Sequence, residues 1–147
     1  MNRYYTKSKT HEWIDVDTEN KVLFVGLSNF GLKIMNFIRD VEFPTADVPA
    51  GYFGERMETR TKEDIFHKKG DSVCVICGED DYHILAPVEG LIHFNPEIVN
   101  DLRLLSDGNE DHHYHLFWMS YRGELELQGL IPEAEYKKHY NWKPLLD

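Results

Sequence analysis

The chain has 147 residues, 41% of them hydrophobic and 13% aromatic, which fits one domain with a single core burying about two thirds of the unfolded surface. Its 16 Lys and Arg against 26 Asp and Glu leave a net charge of −10, which repels phosphate backbones and anionic lipid surfaces. No apolar run approaches the roughly 20 residues needed to span a bilayer, so a soluble protein is expected that neither binds nucleic acid nor inserts in a membrane.

Met1 to Thr10 has basic character but neither an apolar signal core nor a long Arg-rich amphipathic helix, so no address is readable in it. Trp13, Ile14 and Val16, with acids between them, predict a half-exposed strand closed by the polar turn Thr18-Glu19-Asn20. Lys21 to Leu27 is nearly all apolar and β-branched or aromatic, hence an inner strand paired with the first. Ser28 is placed to cap a short helix, and Phe30, Ile34, Phe37 and Ile38 are spaced to form its apolar stripe. From Thr45 to His67 the chain reads as a loop well beyond the ~12–15 residues usual in a compact domain. It is either a solvated insertion or a partner-docking loop anchored by Tyr52 and Phe53.

Val73–Cys77 and Tyr82–Ala86 are apolar runs flanking the polar insert Gly78-Glu79-Asp80-Asp81, with Gly70-Asp71 before them and Pro87 and Gly90 behind. That is the pattern of a β-hairpin with its tip in water. Cys74 and Cys77 stand three positions apart, which in a strand sends them to opposite faces, so packed free thiols are favoured over a zinc half-site or a redox pair. Leu91 to Phe94 reads as a returning strand, Ser106 to Asp111 as a polar turn, and Tyr114 to Tyr121 as a last aromatic strand. Leu125–Ile131 and Pro132–Lys138 read as a C-terminal helical pair, with Pro132 at a first helical position. His112, His113 and His115 with Asp111 are the densest titratable cluster. A zinc site needs four convergent ligands, and neighbours on a strand splay apart, so a solvated turn is the preferred reading. No phosphate-binding Gly loop and no nucleophile elbow occurs.

Several of these segments resemble the H protein of the glycine cleavage system, a lipoyl-domain-like family. Trp13 and its neighbours His11-Glu12 match that family's Tyr-Thr-x-x-His-Glu-Trp opening, and Val25-Gly26 its Val-Gly-Ile-Thr. The run from Val25 reaches Val41-Glu42-Phe43-Pro44 without a gap, where the family has Val-Glu-Leu-Pro. Lys68-Lys69-Gly70-Asp71, Pro87-Val88-Glu89-Gly90 and Asn95-Pro96-Glu97-Ile98-Val99-Asn100 follow the family pattern too, as does Glu135-Tyr136. The resemblance implies a barrel-sandwich hybrid of two packed sheets, with short helices in the N-terminal third and at the C-terminus. It also implies one domain over 1–147, with the loop at about 45–67 as an insertion. Members carry lipoic acid on a hairpin lysine within Glu-Ser-Val-Lys-Ala. Here the carrier position falls on Glu79 counting back from Pro87 and on Asp80 counting forward from Lys68, and no lysine occurs between Gly70 and Tyr136.

The reading is therefore of an H-protein-like subunit without a lipoyl group, acting as a structural or adaptor component of a larger protein assembly. The alternative is a working glycine cleavage H protein, a lipoyl carrier of aminomethyl groups. Neither is an enzyme, and no catalytic residue, metal or cofactor is expected. Glu79, Asp80 and Asp81 form an acidic tip for a basic partner surface, with Tyr52 and Phe53 as apolar anchors. The resemblance implies mitochondria in a eukaryote or cytoplasm in a bacterium.

Overall fold

A computed structural model describes residues 1–8, 10–35, 38–42, 65–100, 114–126 and 129–140. Ten strands and three short helices occur among them: β1 (Asn2–Thr6), β2 (Glu12–Asp17), β3 (Val22–Leu27), α1 (Asn29–Met35), β4 (Asp40–Glu42), β5 (Ile65–His67), β6 (Ser72–Cys77), β7 (Asp81–Leu85), β8 (Gly90–Phe94), α2 (Pro96–Asn100), β9 (Phe117–Ser120), β10 (Leu130–Pro132) and α3 (Glu133–His139). Seven strands make one antiparallel sheet in the order β10-β1-β2-β3-β9-β8-β5, and β4-β6-β7 make a second. The inward residues of the large sheet, among them Ile14, Leu23, Val25 and Met119, share one core with Val73, Ile76 and Ile84 of the small one. The mainly β, two-sheet architecture with few helices is the one expected, and its open sheets are of the kind a barrel-sandwich hybrid is built from.

Local chemistry explains the joints. The β2–β3 turn closes because both oxygens of the Asp17 carboxylate accept hydrogen bonds, Oδ1 from the N–H groups of Glu19 and Asn20 at 3.1 and 3.2 Å and Oδ2 from Asn20 Nδ2 at 2.8 Å, while Lys21 takes a left-handed φ of 52°. Ser28 Oγ accepts the Gly31 N–H at 2.9 Å, the cap that the sequence predicts for α1. Asn95 caps α2 in the same way, accepting the Glu97 N–H at 3.1 Å while its own amide donates to the His115 carbonyl at 2.9 Å.

Four expectations need correction. Residues 2–6, read only for a leader, form β1, a central member of the large sheet that pairs with both β2 and β10. The Arg3 guanidinium is the reason a basic segment can lie there: it grips Asp15 across the strands at 2.6 and 2.9 Å and covers the Trp13 ring at 4.4 Å. The α1 stripe is offset, since the helix buries Gly31 and Met35 and leaves Ile34 exposed. In the first half of the expected C-terminal helical pair, Leu130 and Ile131 instead belong to β10, which completes the edge beside β1, and Pro132 is the N-cap of α3, with ψ at 148°, outside the helix proper. Lastly, Asp81 belongs to β7, paired with Cys77, so the hairpin tip is shorter than expected. Phe37, Tyr52, Phe53, His112, His113 and the turn Ser106 to Asp111 lie outside the described residues.

Candidate functional site

Strands β6 and β7 run in register from Ser72↔Leu85 to Cys77↔Asp81, with one irregularity between Ser72 and Cys74. The tip is therefore Gly78-Glu79-Asp80, closed by the Gly78 N–H on the Asp80 carbonyl at 3.0 Å. Gly78 is buried, whereas Glu79 and Asp80 are exposed, and neither carboxylate makes a side-chain hydrogen bond or ion pair among the described residues. Asp81 is exposed at the start of β7.

The residue that braces this tip comes from the segment between α1 and β4. Arg39 donates its N–H to the Cys77 carbonyl at 2.8 Å, and its guanidinium Nε and Nη2 both donate to the Gly78 carbonyl at 3.3 and 3.2 Å. Strand β4 continues from it and pairs Asp40 with Cys77 and Glu42 with Val75, both acids being exposed. The outer face of the small sheet is thus acidic on either side of Cys77. The thiol registers this directly: it is pushed above the usual cysteine range by burial first, and then by Glu42, Asp81 and Asp40, with Arg39 opposing. Cys74 faces inward, is fully buried and is also pushed up by desolvation. Both cysteines are free and sit on opposite faces, as their spacing predicts.

Reading the sequence brought out Glu79, Asp80 and Asp81 but missed Arg39, Asp40 and Glu42. The polar-apolar-polar alternation Asp40-Val41-Glu42 was an edge-strand signal, yet only the register onto β6 shows that it flanks the hairpin. The structure places His115 half-buried against Phe24, with ring centroids 5.2 Å apart, and burial pushes its imidazole below the usual histidine range against the pull of Glu97. Among the described residues, no group of three or more His, Cys, Asp or Glu is placed to hold a metal ion.

No family model matches the chain. A glycine cleavage system H protein of Bartonella quintana (strain Toulouse) is 27% identical over 139 residues, covering 91% of this chain and 93% of the relative. A crystal structure of a glycine cleavage system H protein from Mycobacterium marinum superposes with a TM-score of 0.67 at 18% identity, covering 96% of this chain and 98% of that one. The chain is thus similar to H proteins of the glycine cleavage system over nearly its whole length, in sequence and in fold. The similarity to H proteins makes the hairpin tip the position to test for a lipoyl group, which is joined by an amide and so needs a primary amine. Gly78-Glu79-Asp80 offers a hydrogen side chain and two carboxylates, and the lysines that lead into the hairpin, Lys68 and Lys69, precede the far end of β6. The strand between them and the tip is itself about 20 Å long at ~3.3 Å per residue. The residues at the tip do not fit the group.

Proposed function

We propose that this H-protein-like chain works in the protein assembly of a glycine cleavage system as a docking subunit whose hairpin carries no lipoyl group. The names of its relatives support the glycine cleavage setting, and they favour the carrier alternative over a purely structural role. What supports the departure from a carrier is one observation: the tip presents Glu79 and Asp80 where an amine is needed. The chain itself supplies no catalytic group in this reading. Its contribution is a surface.

The chemistry of that surface indicates a partner with a basic patch. Glu79, Asp80 and Asp81 at the tip stand beside Asp40 and Glu42 of β4, with Arg39 the cation among them, bound to the tip backbone. Exposed charges of one sign steer association and set its salt dependence more than they add to affinity. Tyr52 and Phe53 remain proposed apolar anchors of the same partner contact.

The test has two arms. Wild-type protein and Glu79→Lys and Asp80→Lys variants are incubated with a lipoate ligase and lipoate, and intact mass is measured. The wild type is expected to stay unmodified and at least one lysine variant to gain a single lipoyl group. Modification of the wild type, mapped to any lysine, restores the carrier reading. In the second arm, native extract is fractionated at physiological salt; elution of the chain as a free monomer rejects the docking reading.

A further inference from the structure

At the base of the hairpin, away from the tip, the protein encloses a half-open cavity of about 730 Å3. Among the described residues three stretches wall it: the turn at Lys69, the crossover from Pro87 to Leu91, and the segment Ser120 to Glu126 that leaves β9. The turn is held by the Gly70 N–H on the Ala86 carbonyl and the Ala86 N–H on the Asp71 carbonyl, both at 2.9 Å, with Gly70 at a φ of 90°. The third wall is contacted by Lys21 Nζ, which donates to the Gly123 carbonyl at 3.2 Å, and by Lys69 Nζ, 3.8 Å from Glu126. The volume falls in the range of ~300–1,000 Å3 typical of small-ligand sites.

The floor is apolar. Val88 and Leu125 pack partly against the main core, and Leu91 is half-buried beside them. The rim carries charge of both signs, Arg122 with Glu89 and Glu124, all exposed and none in a hydrogen bond or ion pair among the described residues. Lys69 and Glu126 stand 3.8 Å apart, so among the described lining residues the other three charges are the ones without a partner. A simple anion would answer Arg122 and face two carboxylates. A simple cation would answer the carboxylates and face the guanidinium. Only a ligand with both charges around an apolar body satisfies rim and floor together.

The geometry points to a binding site for an apolar zwitterion, of which a short aliphatic peptide with both termini free is the simplest form. Its carboxylate meets Arg122, its ammonium meets Glu89 or Glu124, and its side chains cover Val88, Leu91 and Leu125. The site is separate from the hairpin tip. A failed peptide titration removes it and leaves the outcome at Glu79 and Asp80 untouched.

The probe is the tripeptide Leu-Ala-Leu, titrated into the full chain and followed by amide chemical shifts, beside its C-terminally amidated and N-acetylated forms. Saturable binding is expected, with shifts confined to the turn at Lys69, the crossover and the 120–126 segment. Amidation should weaken it about fivefold, the scale of an exposed ion pair. Arg122→Gln should weaken the free peptide about as much and make amidation irrelevant, and the double variant Glu89→Gln/Glu124→Gln should do the same for acetylation. All three side chains are exposed, so these variants leave the fold intact, which circular dichroism checks. Absence of saturable binding at millimolar peptide overturns the inference. So does equal or tighter binding of either capped form, or saturable shifts that lie elsewhere.

Discussion

Gly26 faces Trp13 across the β2–β3 ladder, and the indole lies directly over it. A Cβ added at Gly26 would stand 2.0 Å from Trp13 Cζ2 and 2.2 Å from Cε2. Non-bonded carbons settle at ~3.5–4.0 Å, so in Gly26→Ala the ring must retreat by about 1.5 Å or the strands must part. Retreat is blocked, because Trp13 is only 3% exposed and the Arg3 guanidinium, itself tied to Asp15, covers its ring at 4.4 Å. Overpacking of this kind costs about 1–3 kcal/mol, and a rigid indole belongs at the upper end. The substitution recovers about 0.5–1 kcal/mol by restricting the unfolded chain, so the net expectation is roughly 2 kcal/mol of lost stability. At the ~2–4 °C per kcal/mol usual for chains near this length, Tm should fall by about 4–8 °C. Urea denaturation followed by tryptophan fluorescence measures the loss, and a cycle with Trp13→Leu isolates its cause. If the clash is responsible, Gly26→Ala becomes nearly neutral once the indole is gone, a coupling of about 1 kcal/mol or more. A Gly26→Ala variant within about 0.5 kcal/mol of wild type, or equally costly in both backgrounds, would refute the reasoning.

Two further outcomes concern Tyr136, in the same buried cluster as Trp13, and the two histidines that burial shifts. Tyr136 stacks on Tyr5 with centroids 3.9 Å apart and bonds to His11 Nδ1 through its hydroxyl at 3.1 Å. Tyr136→Phe should therefore cost about 1–2 kcal/mol by leaving a buried ring nitrogen unpaired, and Tyr136→Ala about 3–5 kcal/mol by removing the ring that docks α3. Equal losses in the two variants would mean that the stacking contributes nothing. Burial pushes His11 below the ordinary histidine value of 6.5, against the pull of Glu12, and His115 likewise against Glu97. With the folded value lowered, the unfolded chain takes up protons first, so stability should be full above pH 6.5 and fall as the pH drops through and below it. Denaturation midpoints across about pH 5 to 8 test this, and His11→Gln should remove part of the slope, leaving the share of His115. A flat profile over that window in the wild type would sink the assignment.

The strands that alternate or run apolar were legible in the chain itself, and for a physical reason: β2, β3, β6, β7, β8 and β9 bury one or both faces, and burial selects the residue types that reveal them. So were the caps and turns that use side chains, at Ser28 and in the turn after Asp17, because those bonds form within three residues of the residue that makes them. The carboxylates at the hairpin tip needed no structure at all. Which chemistry an amine-free tip excludes is fixed by the identity of Gly78, Glu79 and Asp80.

Tertiary structure alone decided what those residues stand beside. Strand β1 had no signal because its cation is neutralised by Asp15, a partner 12 positions away that only the ladder brings within 2.6 Å. Strand β10 read as helix because its three residues are too few to show a period, and only the edge of β1 makes them a strand. Arg39 joins the tip through backbone carbonyls, which every residue possesses, so no residue type in β6 or β7 could announce it. The same holds for the cavity at the hairpin base, where Lys69, Leu91 and Leu125 come together although far apart in the chain. Local pattern reports burial and turn chemistry, whereas convergence of exposed polar groups depends on strand order, which leaves no trace in any one segment.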